Sequence, residues 1–157
     1  MIEIALPGRD FTRELRNLIL DLNGTLTVDG HLIDGVKSRI DELKTVLQIY
    51  LLTSDTLGCG AAVADELGIP LFKVSNNQGG EDKLDFLNTI GPEETIVIGN
   101  GYNDRLILEN AAVAIAVIGA EGCCAQALQK ADLIVKDIID ALNVLLNPLR
   151  IIATLRD

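Results

Sequence analysis

The chain has 157 residues and a formal net charge of -10, with 48% hydrophobic and 23% charged residues. That length and mix suit one globular unit with a substantial core, and leave too little chain for two ordinary domains. An acidic chain of this kind repels nucleic-acid phosphates, whose binding relies on clustered Lys and Arg, so no nucleic-acid partner is expected.

A short strand is expected over Ile2 to Leu6, closed by a turn at Pro7-Gly8. This stretch lacks a basic lead and a long apolar run, so no signal peptide is read there and a cytoplasmic location is expected. From Leu15 onward, apolar runs alternate with amphipathic segments, the pattern of a parallel sheet flanked by helices. Strands are expected at Leu15 to Asp21, Leu47 to Thr53, Leu71 to Val74, Thr95 to Gly99, Val113 to Val117 and Leu133 to Val135. Helices are expected at Asp34 to Thr45, Cys59 to Leu67, Glu81 to Thr89, Asn103 to Asn110, Glu121 to Lys130 and Ile138 to Leu146. Gly68 and Gly91-Pro92 mark helix stops, and Asp34 is suited to an N-cap. The longest apolar stretch, Ala111 to Ala120, is far shorter than a bilayer span, so no membrane segment is expected. Pro148 ends the last helix, and the apolar tail Leu149 to Leu155 would cover a sheet edge or join two copies as a homo-oligomer. No linker or repeat interrupts the pattern, which gives one α/β domain over 1-157, a three-layer Rossmann-like parallel sheet.

Cys59, Cys123 and Cys124 have no metal-ligand spacing and read as small buried thiols. His31 lies in a polar loop with no nucleophile near it, and reads as solvated surface.

Ligands in an open parallel sheet bind beyond the carboxyl ends of the strands. Asp21 ends the first core strand, Thr53-Ser54-Asp55 ends the second, and Asn100-Gly101-Tyr102-Asn103-Asp104 follows the strand ending at Gly99. Lys83 opens a helix after the turn Asn76-Asn77-Gln78-Gly79-Gly80 and can reach the same edge. Any one cluster reads as an ordinary turn. Together, an aspartate, a hydroxyl, a lysine and an Asn/Asp-rich glycine loop are the equipment for phosphoryl transfer through an aspartyl phosphate.

The segments DLNGTLT (21 to 27), LLTSD (51 to 55), GGEDK (79 to 83) and IGNGYND (98 to 104) resemble the four motifs of the haloacid dehalogenase-like superfamily. Within it they are most similar to the phosphorylation domain of P-type ATPases, whose segments read DKTGTLT, TGD and GDGxND. The resemblance covers nearly the whole chain after Leu15. It implies that Asp21 is the nucleophile and a magnesium ligand, with the main-chain carbonyl of Asn23 as a second ligand. Thr53 would bond the phosphoryl oxygens, Lys83 would neutralise their charge, and Asn100 and Asp104 would complete the metal environment. Gly24, Thr25, Ser54 and Asn103 would line the phosphate. Lys73 is a rival for the lysine role, but Lys83 follows the glycine turn and begins a helix.

Two positions depart from the family pattern. Asn23 stands where many of these phosphatases place a proton-moving aspartate, help worth about 10²- to 10⁴-fold in rate. Asn100 stands where the ATPase pattern has a metal-binding aspartate. Only Val28 to Leu52 separates the first two motifs, which leaves no room for a nucleotide-binding domain, and no large cap domain is legible. An open site is therefore expected. The leading expectation is a magnesium-dependent phosphatase of small phosphorylated compounds. The alternative is a catalytically weak or inactive domain that binds phosphate and magnesium. A receiver domain is disfavoured, because receivers gather acids at the end of the first strand and place the acceptor later.

Overall fold

The computed structural model describes residues 1-157. The chain opens with an antiparallel hairpin of β1 (Ile2–Ala5) and β2 (Thr12–Leu15), followed by β3 (Asn17–Leu20). A small ribbon of β4 (Thr27–Val28) and β5 (His31–Leu32) precedes α1 (Val36–Leu43). Then come β6 (Gln48–Thr53), α2 (Gly60–Leu67), β7 (Leu71–Lys73), α3 (Gly79–Ile90) and β8 (Thr95–Gly99). The chain continues through α4 (Arg105–Asn110), β9 (Val113–Val117), α5 (Ala125–Leu128), β10 (Leu133–Val135), α6 (Ile138–Leu146) and α7 (Leu149–Leu155).

Six strands form one parallel sheet in the order β10-β9-β8-β3-β6-β7. Side chains alternate between its faces, as the two-residue period of a strand requires. Leu18 and Leu20 of β3, Ile49 and Leu51 of β6, and Ile96 and Ile98 of β8 enter a cluster of 29 buried residues shared with α1, α2 and α6. Ile19, Leu52 and Val97 point the other way, into a cluster of 8 shared with α3, α4 and α5. The three-layer α/β architecture is as the alternating pattern implies.

Several boundaries differ from expectation for local reasons. The apolar run from Leu15 divides at Arg16, whose N–H donates to Glu94 O at 2.8 Å, so Leu15 belongs to the hairpin and β3 begins at Asn17. The first strand lies outside the main sheet. Helix α1 starts from Gly35 at φ 85, without a side-chain cap, so Asp34 does not cap it. The helix expected from Glu121 is only Ala125–Leu128, because Gly122 adopts φ 83 and Cys124 is extended. Asn103 lies in a short 3-10 turn, Tyr102–Asp104, ahead of α4. The apolar tail forms α7, which buries Ile151 in the larger cluster, while Arg9 donates to Leu155 O at 2.9 Å. The three thiols are half-buried, not buried, and His31 is exposed. No single helix is long and apolar enough to cross a membrane.

Candidate functional site at the carboxyl edge of the sheet

β3 is the inner strand between β6 and β8, so the residue following it sits at the centre of the sheet edge. That residue is Asp21, whose N–H donates to Ile98 O at 3.0 Å and which is 6% exposed. Thr53, at the end of neighbouring β6, is buried, and its hydroxyl oxygen accepts from Asp55 N at 2.9 Å. The hydroxyl proton remains free to be donated. β8 ends at Gly99, delivering Asn100 and Asp104 on the other side of Asp21.

Helix α3 carries Lys83 into this edge. Its position is fixed by Leu87, one turn further on the same face and fully buried, and by Phe86, packed 5.3 Å from Tyr50 and 4.5 Å from Phe72 between ring centroids. Lys83 is fully buried, and its Nζ donates to Asp21 Oδ1 at 2.7 Å and to Asp104 Oδ1 at 2.6 Å. Lys73 points elsewhere, pairing with Asp55 at 3.0 Å with its side chain 63% exposed. The structure thus places Lys83, and not Lys73, against Asp21.

Asp104 spends its other oxygen on the main chain, Oδ2 accepting from Asn100 N at 3.1 Å and Gly101 N at 2.9 Å. This clamp needs a glycine at 99, since a Cβ there would lie 2.5 Å from the Asp104 carboxyl. Through these bonds Asp104 holds both Lys83 and the loop in place. Asp21 Oδ2, by contrast, has only a long contact of 3.4 Å from Thr25 Oγ1.

Burial pushes the Asp21 pKa up to about 6, and the nearby Asp104 charge adds to this while Lys83 opposes it. Burial favours the neutral form of Lys83, but the two carboxylates outweigh it and hold its pKa above the ordinary lysine range. The lysine is therefore a permanent buried cation between two acids.

Several oxygens suited to a hard cation lie at this edge. They are Asp21 Oδ2, the Asn23 carbonyl, which accepts no hydrogen bond, and Asn100 Oδ1, which accepts one from Thr25 Oγ1 at 3.1 Å. The side-chain oxygen of Asn23 is also buried without any hydrogen-bond partner, so it too calls for a donor or a cation. An oxygen-only set containing one free carboxylate oxygen fits magnesium, which takes one or two carboxylates from a protein and fills its remaining positions with water and phosphate.

The other expected residues lie at the rim. Gly24, at φ 76, leaves no space for a Cβ against Asn100 Nδ2. Thr25 is buried and bridges the Asp21 and Asn100 loops. Ser54 is half-buried with its hydroxyl 3.3 Å from Thr56. Asn103 faces the start of α3, its Nδ2 3.7 Å from where a Cβ on Gly79 would be. Sequence reasoning missed the loop Gly119–Cys124, which covers part of the edge expected to be open. Gly122 O accepts from Asn100 Nδ2 at 3.0 Å, Cys124 N donates to Asn100 O at 2.8 Å, and Glu121 accepts from Asp29 N at 3.2 Å. Its available signal was the pair of glycines, Gly119 and Gly122, directly after a strand.

No family model matches the chain. It is 44% identical over 93 residues to an uncharacterised protein of Methanocaldococcus jannaschii, covering 55% of this chain and 100% of that relative. Among solved structures it is similar to 3-deoxy-D-manno-octulosonate 8-phosphate phosphatase from Moraxella catarrhalis, in complex with magnesium, phosphate and KDO. The TM-score is 0.67 at 17% identity, over 85% of this chain and 86% of that one. It is also similar to the phospho-aspartyl intermediate analogue of phosphoserine phosphatase, with TM-score 0.67 at 14% identity, over 86% and 99% of the two chains. The chain belongs to the family of that Methanocaldococcus protein, and its fold is that of the haloacid dehalogenase-like phosphatases.

Proposed function

We propose that this protein is a magnesium-dependent phosphohydrolase of small phosphorylated compounds, acting through an aspartyl phosphate on Asp21. The observation that carries the reading is the buried bridge of Lys83 between Asp21 and Asp104, at 2.7 and 2.6 Å. It points a fixed positive charge at a carboxylate whose second oxygen has only one long contact. The fold shared with phosphatases, one of them studied as a phospho-aspartyl analogue, supports the same reading.

Asp21 attacks phosphorus, forming a carboxylate O–P bond as the bond to the leaving oxygen breaks and its electron pair departs with that oxygen. Water then attacks the phosphorus, the Asp21 O–P bond breaks, and the carboxylate is regenerated with release of inorganic phosphate. Lys83 offsets charge on the phosphoryl oxygens in both steps, and the Thr53 hydroxyl donates to one of them. Asp21, the Asn23 carbonyl, Asn100 Oδ1 and Asp104 would hold magnesium, which when bound supplies further positive charge to the phosphoryl oxygens. Asn23 cannot give a proton to the leaving oxygen. Aryl esters and anhydrides, whose leaving groups depart as stable anions, are therefore the favoured substrates over alkyl esters.

Release of phosphate from an aryl phosphate with magnesium, compared between the parent and Asp21→Ala, tests the proposal. Turnover in the parent and none in the variant is expected; equal rates refute it.

A further inference from the structure

Asn100 stands where the family resemblance calls for an acid, and its surroundings are those of an amide. Its Nδ2 donates to Gly122 O at 3.0 Å while its Oδ1 accepts from Thr25 Oγ1 at 3.1 Å. Its main-chain carbonyl accepts from Cys124 N at 2.8 Å, and its main-chain N–H donates to Asp104 Oδ2 at 3.1 Å. The residue is 9% exposed, and Gly24 has no Cβ that would collide with Nδ2. Turning the amide over would set its oxygen against the Gly122 carbonyl, so one orientation alone satisfies both ends.

We propose that the Gly122 carbonyl selects an amide at position 100, which makes the loop Gly119–Cys124 a positioning element that holds Asn100 Oδ1 beside Asp21, on the side proposed for magnesium. The inference rests on the reading of Asp21 given above only for what that oxygen would bind. An aspartate at 100 would place an anionic oxygen 3.0 Å from a carbonyl oxygen with no proton between them. It would also add a third negative charge beside Asp21 and Asp104, whose one buried cation, Lys83, is already shared by both. Restoring the family's acid therefore damages this site. The amide and the carbonyl are a matched pair, and the departure from the pattern is built into the fold.

The test uses the full chain in metal-free buffer at pH 7.5, comparing melting temperatures of the parent, Asn100→Ala and Asn100→Asp. Alanine loses both hydrogen bonds; aspartate loses one and adds repulsion. The expected order is parent, then alanine, then aspartate lowest, whereas an aspartate variant that matches or exceeds alanine overturns the proposal. The second readout is the Asn100 side-chain amide resonance, assigned by its absence from Asn100→Asp. Its hydrogen exchange should be about tenfold slower than that of exposed asparagine amides, the equivalent of one net buried hydrogen bond. Exchange at the exposed rate overturns the selection. Magnesium with orthophosphate should then shift that resonance; if melting order and exchange hold but no shift occurs, the placement of Asn100 Oδ1 toward magnesium is refuted. Neither melting nor exchange requires turnover, so failure of the phosphatase assay and failure of the amide selection are told apart.

Discussion

Replacing Lys83 with methionine removes a fully buried cation from between two buried carboxylates while nearly keeping its volume. At the observed separations of 2.7 and 2.6 Å, each ion pair represents about 6 kcal/mol of attraction at an effective dielectric constant of ~20, before the cost of desolvation. Desolvation cancels much of this in the intact bridge, but removal of one partner leaves the others charged and uncompensated, which costs about 3–5 kcal/mol. A domain of this size has a total stability of about 5–15 kcal/mol, so Lys83→Met should unfold at a markedly lower urea concentration, and about 6–20 °C lower on heating. The deficit should shrink in acid. Without the lysine, the native carboxylates hold protons more tightly than unfolded ones, so the variant gains stability as pH falls toward the ordinary carboxylate range. Adding Asp104→Asn removes one stranded charge, and the double variant should be more stable than Lys83→Met alone. Urea titrations at pH 7.5 and 5 without magnesium measure all of this. A loss below about 1 kcal/mol, or a double variant less stable than the single, would refute the account of the bridge.

Asn23→Asp restores a group able to move a proton, and should speed hydrolysis of alkyl phosphates by up to about 10²- to 10⁴-fold while changing aryl phosphates little; equal effects on both would remove Asn23 as the determinant of leaving-group preference. The pH profile should bear the mark of Asp21, whose pKa stands at about 6 against an ordinary 3.8. The nucleophile must be ionised, so kcat/KM should fall as pH drops through 6, with the midpoint moving lower as magnesium is raised. The stability effect of the same group has the opposite sign: its contribution is full below 3.8 and is lost as pH rises through about 6, because the native state keeps a proton that the unfolded chain has released. A flat rate profile from pH 5 to 7 would contradict the assignment.

The sheet was legible in the sequence because its inner strands are buried on both faces and read as unbroken apolar runs, as Thr95–Gly99 and Val113–Val117 do. Asp21, Thr53, Lys83, Asn100 and Asp104 were legible because each follows such a run or a glycine turn, and strand order brings them to one edge. The N-terminal hairpin was not. Thr12–Leu15 merges with the apolar run that follows it, and only hydrogen bonding at Arg16 separates the two. The double engagement of Lys83 was hidden as well, since spacing along the chain says nothing of how one ammonium is divided between acids that follow β3 and β8. The loop at 119 to 124 acts through the carbonyl of Gly122, a group every residue has, and so left only a pair of glycines as its trace.

The central claim, that Asp21 accepts a phosphoryl group, is tested most directly by trapping the phosphoenzyme. The protein is mixed with a radiolabelled aryl phosphate and magnesium, quenched in acid and digested. The account predicts label on the peptide containing Asp21, lost on treatment with hydroxylamine and absent from Asp21→Asn. Label on another residue, or phosphate release at the parental rate by Asp21→Asn, would contradict it.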